Sequence, residues 1–125
     1  MRKKTSIAAI IPAHNEAETI ASVVRAVVRS GMCSEVIVVA DGCKDATADV
    51  ARAAGATRII VRRRSSGKGG ALRAGVRATR APILLFLDAD VQGLTRRHMR
   101  ALLQPVLSGK VAMTVGLRDR GELLM

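Results

Sequence analysis

Aromatic side chains are nearly missing from this sequence: it has no Trp, no Tyr and a single Phe, Phe86. Surfaces that hold single-stranded nucleic acid stack its bases on aromatic rings. That contact is lacking here, although a net charge of +11 invites a nucleic-acid reading, so no specific nucleic-acid partner is expected. Acidic residues are scarce too, 10 against 21 Lys and Arg. The excess positive charge is left to attract a phosphorylated substrate or an anionic membrane surface, or to serve solubility alone.

Cysteine is limited to Cys33 and Cys43, too few for a disulfide framework or a zinc knuckle. Two reduced thiols without a functional role are expected. Long apolar runs are also lacking. Hydrophobic residues make up 49% of the chain, but charges interrupt them well short of the roughly 18 to 20 residues a membrane helix needs. The basic opening MRKK precedes an apolar run over 7–11, shorter than the roughly 7 to 15 residues of a signal-peptide core. The expectation is a cytoplasmic protein, at most peripheral at the inner face of a membrane. Its 125 residues make one domain, 1–125, able to bury roughly two thirds of its unfolded surface.

What is present is an alternation of short apolar runs and helical patterns. Strands are predicted over 6–11, 35–40, 57–61, 82–87 and 111–115, and continuous apolar strands of this kind suit a parallel sheet covered on both faces. Ile20, Val23, Val24, Val27 and Val28 form the stripe of a helix packed on that sheet. Asn15 and Glu18 are placed as its capping box and Gly31 as its stop. Further helices are predicted over 45–54, 70–79 and 95–107, the last capped by Thr95. The class is α/β, Rossmann-like and three-layered. Such a fold opens a ligand crevice at the carboxyl ends of its strands.

The polar segments follow the strands: PAHNEAET, DGCKDAT, RRRSSGKGG and DADVQG. Asp41-Gly42 alone is a common turn, and Asp45 could simply cap a helix. SSGKGG, with Gly67 and Lys68, has the glycines and point charge of a phosphate-facing loop. It lacks the Walker pattern, which needs Gly at the position of Arg62 and Ser or Thr at that of Gly69. It also lacks G-x-G-x-x-G, because Leu72 replaces the last glycine.

Asp88 and Asp90 are the most informative pair. On an extended chain they point the same way, about 6 to 7 Å apart, and repel by about 2 to 3 kcal/mol at an effective dielectric near 20. A divalent cation offsets that repulsion, since magnesium takes one or two carboxylates and completes its shell with phosphates and water. A solvated turn is the alternative. His14, in the first loop, could touch a ligand, although a lone histidine is more often structural or solvated, while His98 reads as a surface residue.

Together IPAHNEAETI, VVADGCKDAT, SGKGGAL and FLDAD resemble the nucleotide-sugar-binding half of GT-A fold glycosyltransferases, in particular glycosyltransferase family 2 and the related glucosyl-3-phosphoglycerate synthases. The resemblance covers residues 6–116. It implies a mostly parallel GT-A sheet and transfer of sugar from a UDP- or GDP-linked donor. Pro12, Ala13, Asn15 and Glu16 would line the nucleoside pocket, with Asp41 on the base and Lys68 near the base or pyrophosphate. Asp88-Ala89-Asp90 matches the family D-x-D, whose first acid faces the ribose and whose last holds Mg2+ or Mn2+ on the pyrophosphate.

The sequence departs from that pattern at Cys43, where serine is common. It also ends at RDRGELLM, before the half in which family members bind the acceptor. Asp119 and Glu122 are therefore not assigned as a catalytic base. Three rivals follow: a donor-binding fragment or module that needs a partner chain, a basic protein that keeps the fold but binds nucleic acid or anionic lipid, and a nucleotidyltransferase. A nucleotidyltransferase would open with a glycine-rich loop, which PAHNE is not. The sheet edge expected beyond Val115 predicts self-association into a homo-oligomer.

Overall fold

The structure, a computed structural model, describes residues 5–116. Four apolar runs become strands: β1 (Ile7–Ala13), β2 (Glu35–Asp41), β3 (Arg58–Arg62) and β4 (Ile83–Phe86). They pair in parallel in the order β3-β2-β1-β4. Four helices alternate with them: α1 (Ile20–Ser30), α2 (Thr47–Ala54), α3 (Gly67–Arg77) and α4 (Arg96–Leu107).

The alternation of side chains along β1 divides the core into two layers. Ile7, Ala9, Ile11 and Ala13 join the larger cluster, with Val23, Val24 and Val27 of α1, Ala51 of α2, and Met99 and Leu103 of α4. On the other face Ala8, Ile37 and Val39 pack against Ala71 of α3. That second contact is close: a Cβ on Gly75 would come within 2.4 Å of Ile10 Cγ2, so glycine lets α3 press onto the central strand. The three-layer α/β reading holds, and burial on both faces explains why β1 and β2 read as unbroken apolar runs.

Local details differ from expectation in physically informative ways. The stripe of α1 is buried at Ile20, Val23, Val24 and Val27, but Val28 is half-exposed. Gly31 ends the helix in the left-handed region at φ 67°. Its start is not the Asn15–Glu18 box. Asn15 has φ 53°, and its side-chain oxygen accepts a bond from Lys44 N instead, so a tertiary contact takes the group that would have capped the helix. α2 starts at Thr47 and α3 at Gly67, which puts Lys68 on the first helical turn rather than in a loop before it. Thr95 caps α4 as expected, and the exposed His98 completes the box through its ring nitrogen.

The fifth strand, 111–115, is not formed. Lys110 N and Val111 N both donate to Pro105 O, and Thr114 Oγ1 donates to Leu102 O. The segment is thus tied to α4, with Met113 and Val115 exposed. Its bonds go to α4 and not to the sheet, whose edge strands are β3 and β4. The open edge expected beyond Val115 therefore lies at β4. No helix among the described residues is long and apolar enough to cross a membrane.

Candidate functional site

Because all four strands run the same way, their C-terminal loops gather at one sheet edge. There a cleft of about 430 Å³ opens. From the β1 side come Pro12, Ala13, His14 and Glu16; from β2, Asp41; from the β4 side, Asp88, Ala89 and Asp90. The β3–α3 connection adds Ser65, and α3 itself adds Gly67, Lys68 and Ala71. The cleft thus unites every predicted site residue except Asn15. His14, which the sequence places within reach of a ligand without a role of its own, joins them. Ser65 and Ala71 were missed, although both stand inside segments already marked as polar or glycine-rich.

The DGCKDAT loop fixes the PAHNEAET loop through a network of bonds. Glu16 N donates to Thr47 Oγ1 at 2.9 Å and Ala17 N donates to Asp45 Oδ2 at 3.2 Å. Asp45 Oδ1 also accepts from Thr47 N at 3.0 Å and from the Thr47 hydroxyl. That hydroxyl bond is the main reason the Asp45 carboxyl lies below its ordinary pKa. Thr47 is fully buried, so its hydroxyl is a fixed post between the loops. The Cys43 sulfur accepts from Asn15 N at 3.3 Å and donates to Ala13 O at 3.4 Å. A serine hydroxyl has the same two capacities, which accounts for the substitution in chemical terms. His14 Nδ1 lies 2.7 Å from Asp41 O and must donate there, since a carbonyl only accepts. The ring is thereby held on the cleft wall.

Asp41 is only 3% exposed, and its carboxylate is occupied by the protein. Ser65 Oγ donates to Oδ2 at 3.1 Å, Ser66 N donates to the same oxygen at 3.1 Å, and Arg62 Nε stands 3.7 Å from Oδ1. Each bond to a charged acceptor contributes about 1.5 to 3 kcal/mol. Asp41 therefore holds the β3–α3 connection against β2. Gly42 makes the approach feasible: it has φ 68°, and a Cβ there would lie 2.6 Å from Ser65 N.

Beyond that connection, Lys68 forms an ion pair with Asp88 across the cleft. Asp90 does not continue β4. The strand ends at Phe86, Asp90 sits in a turn, and Val91 N bonds back to Asp88 O at 3.4 Å. The extended geometry that predicted the carboxylate spacing does not apply, yet both acids still line the cleft. They are hard oxygen donors of the kind magnesium and manganese prefer. Among the described residues no cluster of three or more His, Cys, Asp or Glu could hold a metal ion. A cation at Asp88 and Asp90 would thus complete its shell with water or phosphate oxygens, as magnesium does in phosphate-binding sites.

Both cysteines are free. Cys33 packs against the core, and burial pushes its thiol up to about 11, which leaves it inert as a nucleophile at neutral pH.

Residues 8–123 match the family profile described as Glycosyl transferase family 2. Among similar proteins, Glycosyltransferase AglD of Haloferax volcanii is 34% identical over 122 residues, covering 90% of this chain and 19% of that protein. Glucosyl-3-phosphoglycerate synthase of Mycolicibacterium paratuberculosis is 33% identical over 113 residues, covering 83% of this chain and 34% of the relative. The crystal structure of glucosyl-3-phosphoglycerate synthase from Mycobacterium tuberculosis superposes with a TM-score of 0.76 at 33% identity, over 85% of this chain and 42% of that one. Other crystal structures of that synthase hold Mn2+ with UDP and glucosyl-3-phosphoglycerate, or Mg2+ with UDP. These neighbours have the GT-A arrangement, and the parallel sheet with helices on both faces is its counterpart here. The chain spans less than half the length of each of these relatives.

Proposed function

The chain belongs to glycosyl transferase family 2, and on that premise we propose that its cleft binds a nucleoside diphosphate sugar together with Mg2+ or Mn2+ and serves the transfer of that sugar to an acceptor. The observation that carries this reading is the convergence of four strand-end loops on one cleft that holds Lys68, Asp88 and Asp90 together. UDP is the first nucleotide to test, because the mycobacterial synthase, 31% identical over the matched region, binds it with Mn2+.

In this reading the nucleoside lies against Pro12, Ala13, His14 and Glu16, whose backbone the second loop clamps. Asp41 shapes the base end by anchoring Ser65 and Ser66. Asp88-Ala89-Asp90 acts as the D-x-D motif, with Asp90 and Asp88 as the cation's protein ligands. A bound cation would supply Lewis-acid stabilisation of the departing diphosphate. Lys68 exchanges its partner Asp88 for the pyrophosphate, adding a point charge where negative charge builds up. The first turn of α3, whose N–H groups lack intrahelical partners, lines the same cleft with Gly67 and Lys68 and favours an anion.

Calorimetric titration with UDP, GDP and their sugar conjugates, in Mn2+, tests this. Saturable binding of one nucleotide class is expected. Binding to DNA that weakens steeply with salt, with no nucleotide bound at any concentration, would replace the proposal with the basic interaction protein.

A further inference from the structure

The loop that carries Asp88 and Asp90 into the cleft goes on to line a second groove, of about 500 Å³, against α1. From α1 it receives Ser22, Arg25 and Arg29, on the helical face turned away from the core; from the loop and the start of α4 it receives Val91, Leu94 and Arg96. The two cavities share no lining residue.

Three arginines therefore line one groove, and no carboxylate is among its lining residues. None of the ion pairs among the described residues involves Arg25, Arg29 or Arg96. Arg25 and Arg29 are one helical turn apart, a spacing at which like charges are unfavourable. Arg96 is anchored: its Nε donates to Ser30 O at 3.0 Å, using one of five N–H donors and fixing the guanidinium at the carbonyl end of α1. Anchored arginines lose less freedom on binding and present a planar fork that matches phosphate oxygens. A doubly charged phosphate would offset the mutual repulsion of the three cations, and Val91 and Leu94 offer the apolar surface for the carbon portion attached to it.

We propose that this groove binds the phosphate of a phosphomonoester, with Arg25, Arg29 and Arg96 as its ligands. The site stands apart from the donor cleft and does not depend on the reading given for it. A soluble metabolite and a phospholipid headgroup share this chemistry, and the probes separate them.

The test uses glycerol 3-phosphate in calorimetric titrations. Parallel sedimentation uses phosphatidylcholine vesicles containing phosphatidic acid or, at equal charge, phosphatidylserine. The variants are Arg25→Gln/Arg29→Gln, Arg29→Lys and Lys68→Gln, with folding verified by circular dichroism; both arginines of the double variant are exposed. The proposal predicts that glycerol 3-phosphate binds the parent and Lys68→Gln equally, with or without saturating UDP and Mn2+. The double variant binds at least tenfold more weakly, and Arg29→Lys is also weakened because it loses the fork. Preference for phosphatidic acid over phosphatidylserine, lost in the double variant, assigns the phosphate to a lipid; binding of the soluble probe alone assigns it to a metabolite. Equal binding to the double variant, displacement by UDP, or no binding of either probe to the parent overturns the proposal. A parent that fails to bind UDP but binds glycerol 3-phosphate through these arginines would overturn only the donor reading.

Discussion

Lys68, on the first turn of α3, is ion-paired with Asp88, two residues beyond the end of β4. The acid pair at the cleft therefore already has a counter-charge, and that charge lies on the element predicted to meet phosphate. A donor with its cation would take Asp88 from Lys68 and give Lys68 the pyrophosphate in exchange.

Replacing Lys68 by Met separates the two roles. The pair is exposed, 63% on Lys68 and 44% on Asp88, and exposed pairs are worth only ~0.2 to 1 kcal/mol. Without nucleotide, Mn2+ binding to Lys68→Met is expected to tighten by up to about fivefold. With Mn2+ present, UDP binding is expected to weaken. Titrations of Mn2+ alone, and of UDP in Mn2+, read the two effects, and opposite signs are the signature of the exchange.

Gly42→Ala tests how the cleft's base end is held. The substitution forces a left-handed backbone on alanine and drives its Cβ to 2.6 Å from Ser65 N. The expected cost is about 2 kcal/mol or more, a fall in Tm of roughly 6 °C or more. The Ser65 and Ser66 bonds to Asp41 should loosen with it, so amide exchange over 63–66 should quicken more than exchange in β1.

Much of this was legible before the structure. Strands β1 and β2 and the stripe of α1 declared themselves because burial on both faces demands continuous apolar residues and a 3.6-residue period. The cleft was legible because parallel strands deliver their following loops to one edge, and nine of the ten predicted residues line it. The exceptions share a cause: tertiary partners that local sequence does not reveal. Asn15 reads as a cap, but Lys44 N takes its side chain. Residues 67–69 read as loop before a helix predicted from Gly70, but α3 starts at Gly67, and Lys68 on its first turn meets Asp88 across the cleft. Residues 111–115 alternate like a strand, but their hydrogen bonds go to α4.

The loop clamp should be sensitive to acid. Asp45 is held below its ordinary carboxyl pKa chiefly by the Thr47 hydroxyl, so near pH 4 the unfolded chain binds more protons than the native one. Its contribution is present above the unfolded pKa of about 3.9 and disappears as pH falls through the lower native value. Asp45→Asn removes this dependence. The gap in urea midpoint between parent and variant should be open at about pH 6 and close towards about pH 3. A gap constant with pH would contradict it.

The central claim is that Asp90 helps a divalent cation to hold a nucleoside diphosphate in this cleft. It is tested most directly by titrating UDP, with and without Mn2+, into the parent and Asp90→Ala. The account predicts that Mn2+ tightens UDP binding by at least about tenfold in the parent, some 1.4 kcal/mol, and by much less in the variant. An equal gain from Mn2+ in both proteins would contradict it.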